Sequence, residues 1–406
     1  MTSIAGRLEK WMQDSAPDEV RAFSRYVLAL VADPERLLNL VVRLTAFCIL
    51  VSLLLTRALW VDGARLYAPA PVIAGLPMAA NAVLYWGMIA LCALLSVLPS
   101  ARRCGVLIAP VFAYLVLQDQ LRGQFYLYMY VFTLLVCAAV PKRAEDKHLD
   151  AIRLMLAGVY VWAGVYKLNA IFITQVFPWF VAPFFPFPEA AKIIGFAVPF
   201  LEALVGVFLL IPSWRWLAQI LAFSMLTVVL LAIGPLGHNQ ALPVWPANVY
   251  MDALVIFLFI GNRRRLDGRS PLNIIAIALF ILLPALGFAK QMGPHPSFQL
   301  YCGCVPLAQV EFAKGEDFTF LPETLAAQAA EYGSLEASDV TYRLFNVSGC
   351  NFSPSHVPYR EGLRGFCPHL KKPQQTKLRV REPADLTSTT MTETVYDLCT
   401  PEGTAK

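Results

Sequence analysis

Charged residues are scarce in this sequence, and their scarcity excludes several classes of protein. They make up 15% of the 406 residues, whereas about one-quarter of a soluble domain is usually charged. A chain that is 57% hydrophobic cannot stay solvated, so disorder is excluded for most of its length. The net charge is only +5 and long basic tracts are lacking, so nothing supports nucleic acid as a partner.

The motifs of the familiar soluble enzymes are lacking as well. The sequence contains no phosphate-binding loop, dinucleotide fingerprint, metalloprotease helix or nucleophile elbow, and no repeat of about 20–50 residues. Apolar stretches recur up to residue 289 instead, which excludes a protein with a single membrane anchor. The membrane bilayer is therefore the first partner that the sequence predicts.

The apolar stretches predict membrane-spanning helices. A window of about 19 residues, matched to a hydrocarbon core of about 30 Å, finds roughly nine of them. They lie near residues 38–59, 78–98, 105–121, 124–141, 149–168, 190–212, 215–235, 244–261 and 271–289. Only Gln118 to Gln124 separates the third from the fourth, so these two could form a re-entrant pair. The predicted fold is a polytopic α-helical membrane protein with about nine spans.

The basic residues predict the orientation of these spans. Short loops rich in Lys and Arg stay on the cytoplasmic side during insertion. If successive spans cross the membrane in alternating directions, most Lys and Arg residues of the loops lie on one face of the membrane. They are Arg25, Arg36, Arg102, Arg103, Lys142, Arg143, Lys147, Arg215, Arg263, Arg264, Arg265 and Arg269. We therefore expect a cell inner membrane protein with a cytoplasmic interfacial helix in residues 1–36, a transmembrane domain in 37–290 and a periplasmic tail.

The tail, residues 291–406, is polar and long enough to bury a modest core of its own. Residues 321–332 have a helical pattern. Short apolar runs separated by Gly, Pro, Asn and Ser predict strands at Phe298–Tyr301, Ala308–Phe312, Val340–Phe345 and Thr376–Val380. The sequence thus predicts a small, mainly β extracytoplasmic domain after the spans.

Cysteines are concentrated in this tail, which holds Cys302, Cys304, Cys350, Cys367 and Cys399. An oxidising compartment favours disulfides, and the one-residue spacing of Cys302-Gly-Cys304 suits zinc poorly, so we expect bridges and no metal. Structural bridges from Cys302 or Cys304 to a later tail cysteine are the main expectation. A reactive redox pair formed by Cys302 and Cys304 is the alternative.

Ionisable and amide side chains occur within or at the ends of the predicted spans. Placing a charge there costs a few kcal/mol, so each such residue should have a partner or a function. The candidates are Asp119, Arg122, Lys167, Asn169, Glu202, His238, Asn239 and Asp252. The predicted orientation of the spans places these residues near the outer face or in the outer half of the membrane, where they could converge on one outward-facing cavity.

Lys167 is the candidate base of such a cavity. Apolar walls favour the neutral amine, which can accept a proton near neutral pH. Tyr160, Trp162 and Tyr166 precede it and could line a planar apolar ligand. The alternative is that Lys167 only extends its ammonium to the membrane interface.

The other candidates have structural alternatives too. Asp119 and Arg122 could pair across one helical turn. Glu202 could be a protonated acid, a partner of Lys167, a proton relay or a hydrogen bond between helices. His238 lies on a Gly-Pro-Leu-Gly turn, where a histidine more often has a structural role than a catalytic one.

The stretch Tyr160-Val-Trp-Ala-Gly-Val-Tyr-Lys-Leu-Asn169, followed by a Pro- and Phe-rich segment and the span with Glu202, resembles a known membrane region. Vitamin K-dependent γ-carboxylases share this region with bacterial HTTM proteins. The resemblance implies an outward-facing pocket in which Lys167 deprotonates a quinol, with Glu202 and His238 as catalytic partners. The remaining polar candidates would bind the ligand, and a quinone or quinol would be the cofactor.

Three functional hypotheses follow. The first is a carboxylase-like or quinone-linked membrane enzyme that acts on an apolar ligand or on an extracytoplasmic protein or peptide. The second is a non-catalytic transporter or assembly factor that presents its disulfide-bridged tail to a partner; a transporter should show internal symmetry, which is not clear here. The third is a quinone-linked thiol redox protein similar to DoxX and MauE proteins, which carry a similar Ala-Gly-x-x-Lys-Leu motif.

Overall fold

The computed structural model of the chain is mostly helical up to Gly287 and has a small sheet in its tail. It describes residues 18–61, 65–234, 236–238, 242–299, 301–347, 356–385 and 387–400. The helices of the first part are α1 (Asp18–Ala32), α2 (Pro34–Leu55), α3 (Arg57–Val61), α4 (Asn81–Val97), α5 (Ile108–Gln118), α6 (Phe125–Ala139), α7 (Asp150–Tyr166), α8 (Phe177–Val181), α9 (Pro188–Leu210), α10 (Arg215–Ile233), α11 (Val244–Phe259) and α12 (Pro271–Ile277). Short 3₁₀ or π segments occupy Pro99–Leu107, Gln120–Arg122, Asp146–Leu149, Phe172–Val176, Ala278–Leu282 and Leu283–Gly287.

Helix starts follow local capping chemistry. The Asp33 carboxylate accepts the backbone N–H groups of Glu35 and Arg36, and Pro34 fills the first position of α2, where its missing N–H has no cost. Ser270 caps α12 in the same way, ahead of Pro271. These signals place helix boundaries at the edges of the apolar stretches.

Each of the nine predicted apolar stretches coincides with an apolar helix. Five helices are long and apolar enough to cross a membrane, which supports a polytopic membrane protein: Pro34–Leu55, Pro99–Gln118, Asp146–Tyr166, Pro188–Leu210 and Arg215–Ile233. Shorter apolar helices are Asn81–Val97, Phe125–Ala139, Phe172–Val181, Val244–Phe259 and Pro271–Gly287. Nine crossings and the orientation of the chain stay predictions.

Helix α7 belongs to the most buried of the five long apolar helices. In Asp146–Tyr166, 83% of the apolar part lies inside the protein. Small residues let its neighbours approach closely: a Cβ added to Gly164 would overlap the backbone of Ala203 on α9, and one added to Gly158 would overlap Phe280. At the first turn of α7, Asp150 is fully buried between Arg153 and Arg264, with N–O distances of 2.9 and 2.6 Å. Packing and ion pairs thus hold this helix at both ends.

The tail contains helices α13 (Glu323–Tyr332), α14 (Ala337–Phe345) and α15 (Val357–Leu363) beside a four-stranded sheet. Its strands are β1 (Leu307–Glu311), β2 (Ser334–Glu336), β3 (Lys377–Pro383) and β4 (Met391–Asp397), in the antiparallel order β2-β1-β3-β4. Alternate residues of β1 and β3 are buried, as expected for a sheet with one covered face. Most buried apolar side chains of the tail and of the membrane helices share one core, and a smaller cluster surrounds Phe177 and Phe180.

The sequence predictions for the tail were correct in part. Helix α13 and strands β1 and β3 were predicted, but Val340–Phe345 lies in α14 and Phe298 and Tyr301 lie in turns. In a short apolar run, a strand and a helix give similar patterns, and burial of Val340, Thr341 and Phe345 follows the helical period. The expectation of a mainly β tail was therefore wrong, since helices and strands share it; the domain boundaries stay predictions.

Candidate functional site

Two cysteines of the tail lie against the last turn of α7. The buried side chain of Asn169 donates from Nδ2 to the carbonyl oxygens of Tyr166 and Cys302, at 2.8 and 2.7 Å. Its Oδ1 accepts the backbone N–H of Phe172 at 2.8 Å. One amide side chain, two residues after Lys167, therefore holds the Cys302-Gly-Cys304 loop on the membrane helices.

Cys302 and Cys304 form a disulfide with each other, and a second disulfide joins Cys367 and Cys399. The expectation of tail disulfides was correct, but the expected bridge from Cys302 or Cys304 to a later cysteine was wrong. Gly303 explains the difference, because its left-handed backbone (φ +72°) reverses the chain between the two cysteines. Cys350 lies outside the described residues.

The two sulfur atoms of this pair differ in their environment. Cys302 is fully buried, whereas Cys304 is only partly buried and reaches a pocket. The Cys304 sulfur lies 3.7 Å from the carbonyl oxygen of Tyr166 and 3.8 Å from Oε1 of Gln299. A nucleophile that enters from the pocket therefore meets the Cys304 sulfur first.

The pocket has a volume of about 310 Å³ and lies where the membrane helices meet the tail. Three parts of the chain line it. They are Tyr166 at the end of α7, the end of β3 with the start of the following turn from Glu382 to Asp385, and a segment that contributes Gly287, Phe288, Lys290, Met292, Pro294, Gln299, Cys304 and Pro306. The rings of Tyr166 and Phe288 are stacked, with centroids 4.5 Å apart. Of the residues singled out from the sequence, Tyr166 and Cys304 line this pocket.

The segment that leads to the cysteines has an unusual backbone. Lys290, Phe298 and Tyr301 have left-handed φ values of 54°, 62° and 50°, a conformation that costs a non-glycine residue roughly 1–2 kcal/mol. Burial offsets this cost: Phe298 is 1% exposed and stacks on Phe280. The left-handed backbone of Phe298 is thus held by tertiary packing and not by local preference.

His295 anchors the same segment to the membrane helices. It is fully buried, and its Nδ1 lies 3.1 Å from the backbone N–H of Phe125 and 3.0 Å from the carbonyl oxygen of Gly123. Burial lowers the pKa of His295 to about 4 from the usual 6.5, although the Gly123 carbonyl acts in the opposite direction. The ring is neutral in the folded protein at neutral pH.

This lowered pKa predicts a loss of stability in acid. Between pH 6.5 and about 4 the unfolded state binds a proton at His295 that the folded state does not, so stability is complete above pH 6.5 and falls below it. The full loss should amount to roughly 3 kcal/mol. The melting temperature in detergent should therefore fall more steeply with acid for the wild type than for His295→Gln. Parallel pH profiles for the two proteins would contradict the prediction.

Lys167 and Glu202 form an ion pair between the end of α7 and the middle of α9. The Lys167 Nζ lies 2.7 and 2.6 Å from the two carboxylate oxygens. The side chains are only 13% and 11% exposed, so the charges are largely removed from solvent. Of the possibilities that the sequence left open for Glu202, this geometry corresponds to a partner of Lys167.

Two further polar groups lie near this pair. The hydroxyl of Tyr160 is buried without a hydrogen-bond partner among the described residues, and it interacts electrostatically with the carboxylates of Glu202 and Asp252. One carboxylate oxygen of Asp252 is also buried without a partner in the described part of the chain. Lys167, Glu202, Tyr160 and Asp252 are hereafter called the polar cluster.

Asp119 and Arg122 belong to a different buried network. Asp119 pairs with Arg65 at 2.6 Å, and Arg122 lies 4.0 Å from the Asp119 carboxylate across one turn. Arg122 also donates to the Leu59 carbonyl and to Gln118, and neither Asp119 nor Arg122 lines the pocket. The structure thus does not bring all the polar candidates together, because Asp119 and Arg122 form an ion-pair network with Arg65 outside the pocket lining.

His238 and Trp162 also have structural contacts. The His238 ring stacks on Trp179 at 4.0 Å, and its Nε2 lies 2.8 Å from the Trp179 carbonyl oxygen. Trp162 donates from Nε1 to the Ile281 carbonyl and contacts the rings of Tyr166 and Phe288. Asn239 lies outside the described residues. Catalysis by His238 stays an untested prediction.

Sequence reasoning missed most of the pocket wall. Phe288, Gln299 and the turn after β3 had no motif that set them apart, and Glu382 is 78 positions (382 − 304) from Cys304 in the sequence. Long-range packing brings these residues together. The local signals were the Cys-Gly-Cys spacing and the aromatic run that ends at Tyr166.

Residues 145–240 match the model of the family described as methylamine utilisation protein MauE, a membrane family. This segment is similar to MauE. It contains α7, Lys167, Asn169, α9 with Glu202, and His238, but it leaves most of the chain unmatched. No curated protein and no solved structure matches the chain.

The MauE match corrects the earlier resemblance. The family found is not the one that contains vitamin K-dependent carboxylases and HTTM proteins, so that identification was wrong. The stretch from Tyr160 to Asn169 that suggested it contains the Ala-Gly-x-x-Lys-Leu motif, which is too short to separate the two families. The match favours the alternative of a MauE- or DoxX-like membrane protein.

Proposed function

We propose that this chain is a membrane-bound thiol–disulfide exchange protein whose redox pair is Cys302 and Cys304. The observation that carries the proposal is the position of this disulfide, which Asn169 holds at the end of the MauE-like helix α7. One sulfur is buried and the other faces a pocket, an asymmetry typical of exchange pairs with one attacked and one departing sulfur.

The exchange proceeds in two balanced steps. A thiolate of a partner attacks the Cys304 sulfur, a mixed disulfide forms, and Cys302 leaves as a thiolate that takes up a proton. The second thiolate of the partner then attacks the sulfur of the partner's first cysteine in the mixed disulfide, and Cys304 leaves as a thiolate that takes up a proton. The partner loses two electrons and becomes a disulfide, while this chain gains two electrons and two protons as a dithiol.

A polypeptide dithiol outside the cytoplasm is the proposed partner. The loop cations favour a tail on the outer side of the inner membrane, where disulfides persist. The second disulfide, Cys367–Cys399, suits the same compartment. The proposal thus joins the thiol redox hypothesis to the idea that the tail meets an extracytoplasmic protein or peptide.

A quinone is the proposed acceptor of the electrons, and the polar cluster is its proposed site. The unpartnered Tyr160 hydroxyl and the Lys167 ammonium are donors that suit quinone carbonyl oxygens, and they lie among apolar helices. When bound, the quinone would accept two electrons and two protons from the dithiol. Quinone content should therefore depend on the Lys167–Glu202 pair.

Two single variants test the exchange proposal. Cys302→Ser keeps the accessible thiol and should trap a mixed disulfide with an oxidised dithiol peptide, because the resolving cysteine of this chain is missing. Cys304→Ser keeps only the buried thiol and should trap little. The full-length protein in detergent is incubated with the peptide, and the adduct is measured by intact mass.

The Cys367→Ser/Cys399→Ser variant is the matched control, since it removes the other disulfide and should leave exchange intact. The wild type should oxidise a reduced dithiol peptide with one disulfide consumed per chain. Equal trapping by the two single variants, or a wild type that oxidises no peptide, would refute the proposal.

A further inference from the structure

The pocket beside Cys304 restricts which thiols can reach it. Cys304 lines the pocket, while Cys302 is fully buried and is not among the lining residues. In a mixed disulfide the two Cα atoms lie about 5.5 Å apart, and the next Cα of the partner follows at about 3.8 Å. The residue adjacent to the partner's cysteine is therefore close enough to place its side chain in the pocket.

The lining of the pocket is mostly apolar. Tyr166 and Phe288 form one stacked aromatic wall, and Met292, Pro306 and Pro383 add further apolar surface. A volume of about 310 Å³ is at the lower end for ligand sites and accommodates one large side chain with its adjoining backbone. A small or strongly hydrated side chain would leave this surface uncovered.

The charged residues at the pocket rim already have partners within the protein. Glu382 lies 3.1 Å from the Lys290 ammonium and 3.7 Å from the His356 ring. The Asp385 carboxylate accepts the backbone N–H groups of Thr387 and Ser388 at 2.7 and 2.8 Å. The charges of Glu382 and Lys290 thus offset each other, and backbone N–H groups of its own turn bind the Asp385 carboxylate.

We infer that the pocket recognises a large apolar side chain, best an aromatic one, next to the reactive cysteine of the partner. This inference rests on the proposed exchange function and adds its substrate class. A polypeptide with an aromatic–cysteine pair gains affinity by burying the ring against Tyr166 and Phe288 while its sulfur meets Cys304. Peptides that lack the ring react only at the rate of a simple thiol.

The test compares three short peptides in which Trp, Gly or Asp precedes a single cysteine. The rate of mixed-disulfide formation with the full-length protein in detergent is measured by intact mass and corrected for the thiolate fraction of each peptide. The Trp peptide should react about tenfold or more faster than the other two, the range expected for filling an apolar pocket. Equal rates for the three peptides would overturn the inference.

Variants locate the preference in the pocket. Ala384→Trp fills the pocket from its rim and keeps the backbone N–H that donates to Thr390, so it should abolish the preference for the Trp peptide. Ala330→Trp, at an exposed site on α13, is the matched control and should retain it. A preference that survives in both variants would overturn the inference.

Dithiothreitol separates this inference from the proposed function. It has no aromatic ring to bury in the pocket and should reduce Cys302–Cys304 at the same rate in the wild type and in Ala330→Trp. If the wild type reacts with dithiothreitol but does not distinguish the peptides, the inference fails and the exchange function stands. If Cys304 reacts with neither dithiothreitol nor peptides, the proposed function fails.

Discussion

Gly303→Val is expected to abolish the difference in reactivity between Cys302 and Cys304. Gly303 has φ +72°, a conformation that costs a side chain, and an added Cβ would lie 2.8 Å from Ile171 and 3.0 Å from Val176. Backbone strain and overpacking together should cost roughly 2–5 kcal/mol. The loop should therefore leave its place beside Asn169 and expose both cysteines.

The measurement is the rate of maleimide labelling of each cysteine after mild reduction, read by peptide mass spectrometry. Cys304 should react at least about tenfold faster than Cys302 in the wild type, since a tenfold ratio needs only about 1.4 kcal/mol of protection. The ratio should fall to near one in Gly303→Val. Retention of the wild-type ratio would contradict the docked loop.

Gly333→Val is the matched control for this change. Gly333 also has a left-handed backbone, with φ +68°, but an added Cβ would meet nothing within 4 Å. This variant carries the backbone cost without the overlap, and it lies at the end of α13, away from the pocket lining. It should be destabilised by roughly 1–2 kcal/mol and should keep the labelling ratio of the wild type.

Glu202→Leu is expected to destabilise the helical bundle strongly. The change leaves the Lys167 ammonium without its carboxylate in a site where the side chain is only 13% exposed. Removing one partner of a buried ion pair costs roughly 3–5 kcal/mol, because the remaining charge stays desolvated. The melting temperature in detergent should fall by about 5–10 °C.

The double variant Lys167→Leu/Glu202→Leu should recover most of this stability, because apolar side chains can replace a buried pair at little cost. Glu189→Leu is the control: Glu189 pairs with Lys192 at 2.7 Å on the same helix, but its side chain is 82% exposed. Surface pairs contribute at most about 1 kcal/mol, so this variant should melt like the wild type. Equal losses for Glu202→Leu and Glu189→Leu would contradict the buried pair.

The double variant also tests the proposed quinone site. It is expected to fold, so any loss of ligand reflects chemistry and not unfolding. Extraction of the purified wild type should yield quinone. The amount of quinone per protein should be severalfold lower in the double variant. A wild type without quinone, or a double variant that retains it fully, would contradict quinone binding at the polar cluster.

Much of the membrane part could be predicted from the sequence, because a membrane-spanning helix needs a contiguous run of apolar residues. All nine predicted apolar stretches coincide with apolar helices, and Lys167 and Glu202 were identified as unusual from their apolar surroundings alone. The family was harder to predict, since the Ala-Gly-x-x-Lys-Leu motif occurs in more than one membrane family. The match over residues 145–240 was needed to separate them.

Only parts of the candidate site could be predicted from the sequence. The Cys-Gly-Cys spacing marked Cys302 and Cys304, but their pairing with each other depends on the left-handed Gly303. The role of Asn169 as their anchor depends on a contact across 133 residues, and no periodicity reports such a contact. Asp119 and Arg122 had the same sequence signal as Glu202 and proved to belong to another network.

The sequence by itself determined the membrane-embedded helices, the polar and cysteine-rich tail, and the residues whose charge is costly in a bilayer, because these follow from local composition. Only the tertiary structure decided that Glu202 meets Lys167, that Cys304 and not Cys302 faces the pocket, and that the turn after β3 closes that pocket against Tyr166. The physical reason is that these contacts join distant segments. Their free energy depends on how the whole chain packs and not on any single stretch.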